Sequence, residues 1–126
     1  MTRSIDKIME NHRVAAERRR AGKRIWDYEI DVKAVLHEDP QNKSNEHCAS
    51  VANRIGALLR ERLPITWLAT DNDKSDETII EIVEGMEALK HDSYEGENDI
   101  TPLSDLNEML AQLYDWADTK RVWLGL

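Results

Sequence analysis

The chain has 126 residues, 40% of them hydrophobic, with one cysteine and a net charge of −8, which suits a single domain that buries its core without disulfides. No apolar run approaches the roughly 18 residues that a membrane span needs, and the first residues lack the apolar core of a signal peptide. The sequence therefore predicts a soluble, cytoplasmic protein, and it argues against a disulfide-stapled or membrane-spanning one.

The charge is distributed unevenly along the chain. Residues 1–24 hold eight lysines and arginines against three acidic residues, a net charge of +5, whereas residues 25–126 hold nine against twenty-two, a net charge of −13. A basic segment can dock on an acidic body of the same chain, on a second subunit or on a polyanion. We therefore divide the chain into a basic N-terminal helix or arm at residues 1–23 and a single acidic domain at residues 24–126.

The basic segment is predicted to form a helix at about residues 4–22. Ser4 is a favourable N-cap, and Gly22 is a favourable end. The apolar stripe between them is thin, so the helix would bury little surface by itself. We expect it to lean on a neighbour, which predicts a homodimer, although packing on its own subunit stays open. The basic residues at its end are Arg18, Arg19, Arg20, Lys23 and Arg24.

Residues 24–35 alternate in character with a period of two. The apolar members are Trp26, Tyr28, Ile30 and Val32, and the charged members between them are Asp27, Glu29, Asp31 and Lys33. This alternation predicts a β-strand with one buried and one solvated face. Val122 and Leu124 alternate in the same way, so a second strand is predicted at about 120–126. Residues 65–70 are a possible third strand.

Three amphipathic helices are predicted at about residues 45–62, 76–90 and 102–117, each with apolar residues three and four positions apart. They follow favourable N-caps at Ser44, Ser75 and Thr101, respectively. The predicted fold is therefore α+β, with a small antiparallel sheet covered on one face by these helices.

Candidate catalytic and metal sites are weak. Glu29, Asp31 and Lys33 resemble the last element of the restriction-type nuclease motif, which implies carboxylates that hold a divalent metal and a lysine that positions water. The pattern lacks the preceding strand with a further aspartate, and a solvated strand face explains the same charges. A calcium-like loop that begins at Asp71 has no glycine at its sixth position and no glutamate at its twelfth. We predict no catalytic residue, no metal and no cofactor.

His37, His47 and Cys48 match no zinc spacing. Cys48 lies on the apolar stripe of the 45–62 helix, so we expect a buried thiol.

The basic arm supports two readings. As a nucleic-acid-binding helix, it would contact phosphates. Against this, the acidic body would repel nucleic acid, and no aromatic residue lies among the arginines to stack on bases. Docking on carboxylates of its own or a second subunit explains the same residues, so nucleic acid is the disfavoured partner.

The leading hypothesis is a non-enzymatic protein that binds a basic surface of another protein, in the manner of the small acidic accessory proteins of phages and mobile elements. It could inhibit a nucleic-acid-binding protein as a DNA mimic, with carboxylates in place of phosphates. Trp67 and Trp123 are the candidate interface anchors. The predicted acidic face comprises Asp27, Glu29, Asp31, Asp71, Asp73, Asp76, Glu95, Glu97 and Asp99.

Overall fold

The computed structural model describes residues 26–92 and 101–125, and within those ranges it is helical with no strand. The predicted α+β fold is therefore wrong, and the described part of the chain is all-α. The helices are α1 (Tyr28–His37), α2 (Asn45–Arg62), α3 (Ile65–Leu68), α4 (Glu77–Ala88) and α5 (Pro102–Leu124).

The strand predicted at 24–35 is replaced by α1 over its described part. Tyr28, Val32 and Val35 are buried, and their spacing of four and three places them on one face of a helix. Ile30, which the strand prediction buried with Tyr28 and Val32, is 72% exposed. The apolar residues of this segment fit both a strand pattern and a helix pattern. Burial of Tyr28, Val32 and Val35 against α2 and α5 favours the helix.

The strand predicted at 120–126 is also wrong. α5 continues through these positions to Leu124, seven residues beyond the predicted end at 117. Gly125 ends it with a φ of 75°, the left-handed conformation that glycine adopts without strain. The possible strand at 65–70 is instead the single helical turn α3, whose Trp67 N–H bonds back to the carbonyl of Pro64.

The predictions for the other helices hold more closely. α2 has the predicted bounds, and the Ser44 hydroxyl accepts a hydrogen bond from the His47 N–H at 3.2 Å. Thr101 and Ser104 form a reciprocal capping box at the start of α5. α4 is shorter than the predicted 76–90, and its N-cap is Asp76 rather than Ser75.

The core is assembled around α2, which packs against α1, α4 and α5. Gly56 permits a close approach of α2 and α4, because a Cβ at that position would lie 3.2 Å from the backbone nitrogen of Glu87 in α4. Asp76 at the start of α4 contacts Lys120 near the end of α5, and Gly85 near the end of α4 lies against Met109. α4 and α5 therefore run antiparallel.

Several predictions fall on residues outside the described ranges. These are the helix at 4–22 with Arg18, Arg19, Arg20, Lys23 and Arg24, and the acidic residues Glu95, Glu97 and Asp99. Among the described helices, none combines the length and apolar character needed to cross a membrane.

Candidate functional site

An aromatic cluster joins the start of α1, the turn α3 and the second half of α5. Trp116 lies at its centre, with ring centroids 5.7 Å from Trp26 and 6.0 Å from Trp67. The Tyr28 ring extends the cluster, 5.8 Å from Trp26. Tilted and edge-on ring pairs at these distances are favourable beyond the area they bury. The cluster fixes the end of α5 against two other segments of the chain.

The Asp76 carboxylate holds this cluster in place through polar contacts. It accepts hydrogen bonds from the Trp116 indole at 2.9 Å and from the Lys120 ammonium at 3.1 Å. Its other oxygen accepts the Ile79 N–H and so caps α4. Burial by itself would raise the pKa of Asp76, but these hydrogen bonds and the Lys120 charge outweigh it and hold the pKa below its ordinary value. One carboxylate thus connects α4 to α5.

Lys120 also links the two tryptophans that the sequence suggested as interface anchors. Its ammonium lies 4.4 Å from the ring centroid of Trp67 and 4.6 Å from that of Trp123. Trp67 is half-buried, whereas Trp123 is 74% exposed. The two rings therefore flank one cation on the same side of α5, and only Trp123 presents most of its surface to solvent.

Exposed apolar side chains occur on α3, which reaches Lys120 through Trp67, and on the last turn of α5. Ile65 in α3 and Val122 in α5 are each 81% exposed. We call Ile65, Val122, Trp123 and Leu124 the α5-end residues. Successive residues on a helix point about 100° apart, so Val122, Trp123 and Leu124 expose apolar surface around the end of α5, and a group of such side chains is typical of an interaction surface.

The acidic loop with Asp71 and Asp73 is hydrogen-bonded to α3 and to the residue that follows it. The Asn72 side chain donates to the Thr66 carbonyl at 3.1 Å, and the Ser75 hydroxyl donates to the Ala69 carbonyl. These bonds fold the loop back on α3, with Asp71 and Asp73 exposed. Carboxylates therefore lie next to the turn that carries Ile65 and Trp67.

Three members of the predicted acidic face are paired within the molecule. Glu29 contacts Arg121, Asp31 lies 3.1 Å from Arg62, and Asp76 binds Lys120. Asp27, Asp71 and Asp73 are exposed, so the described part of the predicted face divides into internally paired and solvent-facing carboxylates.

The residues that resembled a nuclease motif do not converge on one point. Because they lie on a helix, Glu29 and Asp31 point about 200° apart, and they pair with arginines of different helices. Within residues 26–92 and 101–125, no group of three or more His, Cys, Asp or Glu side chains could hold a metal ion. Cys48 is buried in α2, and burial raises the pKa of its thiol.

Sequence reasoning missed Lys120 and Arg121, because it placed them in a strand. Arg121 stacks over the Trp26 ring, with the guanidinium carbon 4.7 Å from the ring centroid. The spacing of four between Trp116 and Lys120 was the available signal, since residues four apart meet on one helix face.

No known protein family, no curated protein and no solved structure matches the chain.

Proposed function

We propose that the protein is a non-enzymatic binding module that docks a basic amphipathic segment of another protein on the α5-end residues. The observation that carries this proposal is the exposure of Trp123, which shares the Lys120 cation with Trp67 of α3, the turn to which the loop with Asp71 and Asp73 is hydrogen-bonded. Apolar anchors with a charged rim are the usual anatomy of a specific protein interface.

The charge balance favours a basic partner. The described residues contain nine lysines and arginines against nineteen aspartates and glutamates, a net charge of −10. All four arginines among them and Lys120 are already in ion pairs. Five of the nine described cations are thus paired while carboxylates remain in excess, so the net charge favours a positively charged partner segment.

The proposed partner is basic, as expected from the sequence. The affinity comes from apolar contacts rather than from the carboxylates. A DNA mimic would rely on arrayed carboxylates, but three of the predicted ones are paired internally. We assign most of the affinity to Trp123 and its apolar neighbours, with Asp71 and Asp73 increasing the association rate.

The test is a fluorescence titration with a labelled 16-residue peptide of alternating lysine and leucine faces. Matched probes are a glutamate–leucine peptide and a lysine–serine peptide of the same length. We expect the lysine–leucine peptide to bind most tightly, and Trp123→Ala to weaken that binding at least tenfold. Ile30→Ala is the control, because Ile30 is comparably exposed but lies on α1, and it should change binding less than twofold.

Two results would contradict the proposal. One is equal binding of the lysine–leucine peptide by the wild-type protein and Trp123→Ala. The other is a wild-type dimer in sedimentation that Trp123→Ala converts to a monomer, because the α5-end residues would then serve self-association. The nucleic-acid alternative predicts instead that labelled DNA binds at low salt and that charge reversal at Arg18, Arg19 and Arg20 abolishes that binding.

A further inference from the structure

The exposed Trp123 ring has a cation against it. The Lys120 ammonium lies 4.6 Å from the centroid of this ring, well within the distance at which a cation is attracted to an aromatic face. The two residues are three positions apart on α5, so their side chains are neighbours on the helix surface. An exposed ring without such a contact would lose rotational freedom on binding, and that loss lowers affinity. Lys120 restricts the ring before any partner binds.

Lys120 is itself held in place from the core side. Its ammonium lies 3.1 Å from the Asp76 carboxylate and 4.4 Å from the centroid of Trp67, and its side chain is only 14% exposed. A lysine on an open surface samples many rotamers, but these two contacts and the Trp123 ring leave this ammonium little room. Asp76 in turn accepts the indole N–H of buried Trp116. The orientation of Trp123 is therefore coupled to the core through Lys120.

The charge of Lys120 does not oppose a basic partner. Like charges brought together at an interface weaken binding, so an uncompensated lysine beside Trp123 would repel a basic segment. Here the Asp76 carboxylate compensates that charge, and both side chains of the pair are mostly buried. A partner that docks on the α5-end residues thus meets the Trp123 ring, which is 74% exposed, rather than the ammonium.

We propose that Lys120 is the positioning residue of this interface: it holds the Trp123 ring in one orientation on the α5-end residues before a partner binds. Its effect reaches the partner through the ring. The consequence for binding rests on the proposed function, whereas the order of the ring is a property of the protein alone. The two parts can therefore be tested separately.

The first test measures the order of the Trp123 ring by ¹⁵N relaxation of its indole N–H in the full chain. The signal is assigned by its absence from the spectrum of Trp123→Ala. Lys120→Gln removes the charge and keeps an amide that can donate to Asp76, whereas Lys120→Arg keeps a cation that stacks on rings. We expect an order parameter of about 0.8 in the wild type and in Lys120→Arg, and below about 0.6 in Lys120→Gln.

A wild-type order parameter below about 0.6 overturns the proposal, and this measurement decides alone if Lys120→Gln does not fold. Equal order parameters in the wild type and Lys120→Gln overturn it as well.

The second test measures binding of the lysine–leucine peptide. On charge alone, removal of a cation should strengthen binding of a basic peptide. We expect Lys120→Gln instead to weaken it about threefold, because the free ring must be ordered on binding, and Lys120→Arg to restore it. Lys74→Gln is the matched control, since it removes an equal charge from the exposed loop after α3, and it should not weaken binding.

A double-mutant cycle separates positioning from a general structural effect. In the Trp123→Ala background, Lys120→Gln should cause no further loss of peptide binding, because its effect passes through the ring. Equal weakening in both backgrounds would refute the positioning role. If the wild type binds no peptide, the proposed function fails, and the order parameter still decides whether Lys120 orients Trp123.

Discussion

The indole nitrogen of Trp116 donates a hydrogen bond to the Asp76 carboxylate at 2.9 Å, across the interface between α5 and the start of α4. Asp76→Ala removes this acceptor and the N-cap of α4 together. Loss of an N-cap costs about 1 kcal/mol, and a buried N–H left without a partner costs about 1–3 kcal/mol. We expect a loss of about 2–3 kcal/mol in urea unfolding. Asp73→Ala in the same loop is the control, and an equal loss there would contradict this account.

The same carboxylate makes stability depend on pH in a defined direction. The pKa of Asp76 in the folded protein lies below its ordinary value of 3.8. Its contribution to stability is therefore fully present above pH 3.8 and is lost as the pH falls through the folded pKa. We expect the wild type to lose stability more steeply than Asp76→Asn below pH 4. Parallel curves from urea unfolding at pH 3 to 6 would assign the effect to other carboxylates.

Gly56 lies where α2 and α4 approach each other closely. We therefore predict that its replacement by alanine, a better helix former, destabilises the protein. Gly56→Ala gains about 1 kcal/mol of helix propensity, but its Cβ would lie 3.2 Å from both the backbone nitrogen of Glu87 and the Cβ of Met86. Overpacking typically costs about 1–3 kcal/mol, so we expect a net loss of about 1 kcal/mol.

Gly85→Ala is the matched control for this prediction. Its Cβ would come closest to the sulfur of Met109 at 3.0 Å, the flexible part of a side chain that can move. We expect its stability to be unchanged or higher by about 0.5 kcal/mol. If both alanine variants were stabilised, the close approach at Gly56 would be refuted.

Asn53 of α2 caps the C-terminal end of α4. The two N–H groups of its amide are shared among three carbonyl oxygens, which lie 2.9 Å (Met86) and 3.2 Å (Glu87 and Leu89) from the nitrogen. These carbonyls have no partner within the helix. Asn53→Ala should destabilise the protein by about 1 kcal/mol in thermal unfolding, because water replaces the lost bonds only in part. Ser50→Ala, exposed on the same helix, should change stability by less than about 0.5 kcal/mol.

The N-termini of α2 and α5 are the features that can be predicted best from the sequence. Ser44 before α2 and Thr101 before α5 each act through a contact with the residue three positions further on, so their capping can be predicted without tertiary information. Gly125 carries an equally local signal for the end of α5, but the alternation of Val122 and Leu124 favours a strand over the same residues.

The α1 segment could not be assigned from its own residues. Trp26, Tyr28 and Val32 satisfy a strand pattern, while Tyr28, Val32 and Val35 satisfy a helical one. The choice depends on what covers the segment: Tyr28 and Val32 fit against α2 and α5, and Glu29 reaches Arg121, 92 positions along the chain. Contacts between residues so far apart in the sequence determine whether this segment forms a strand or a helix, because both patterns are locally acceptable.

The candidate sites depended on distant contacts even more strongly. The sequence marks Trp67 and Trp123 as two separate candidate anchors. Only the folded helix α5 brings Lys120 against both of their rings. A cavity between α1 and α5 is lined by residues that lie 80 to 93 positions apart in the sequence. No pattern in the sequence brings such positions together.

α5 is long enough for one part of it to pack in the core and for its last turn to remain exposed. At 23 residues it is nearly twice as long as the 12-residue α4, so its final turn, with Val122 and Trp123, extends past the point where Asp76 anchors it. The backbone hydrogen bonds of α5 continue without a break from the buried turns into this final turn. The final turn is therefore already helical before a partner binds. Docking there would cost little conformational entropy.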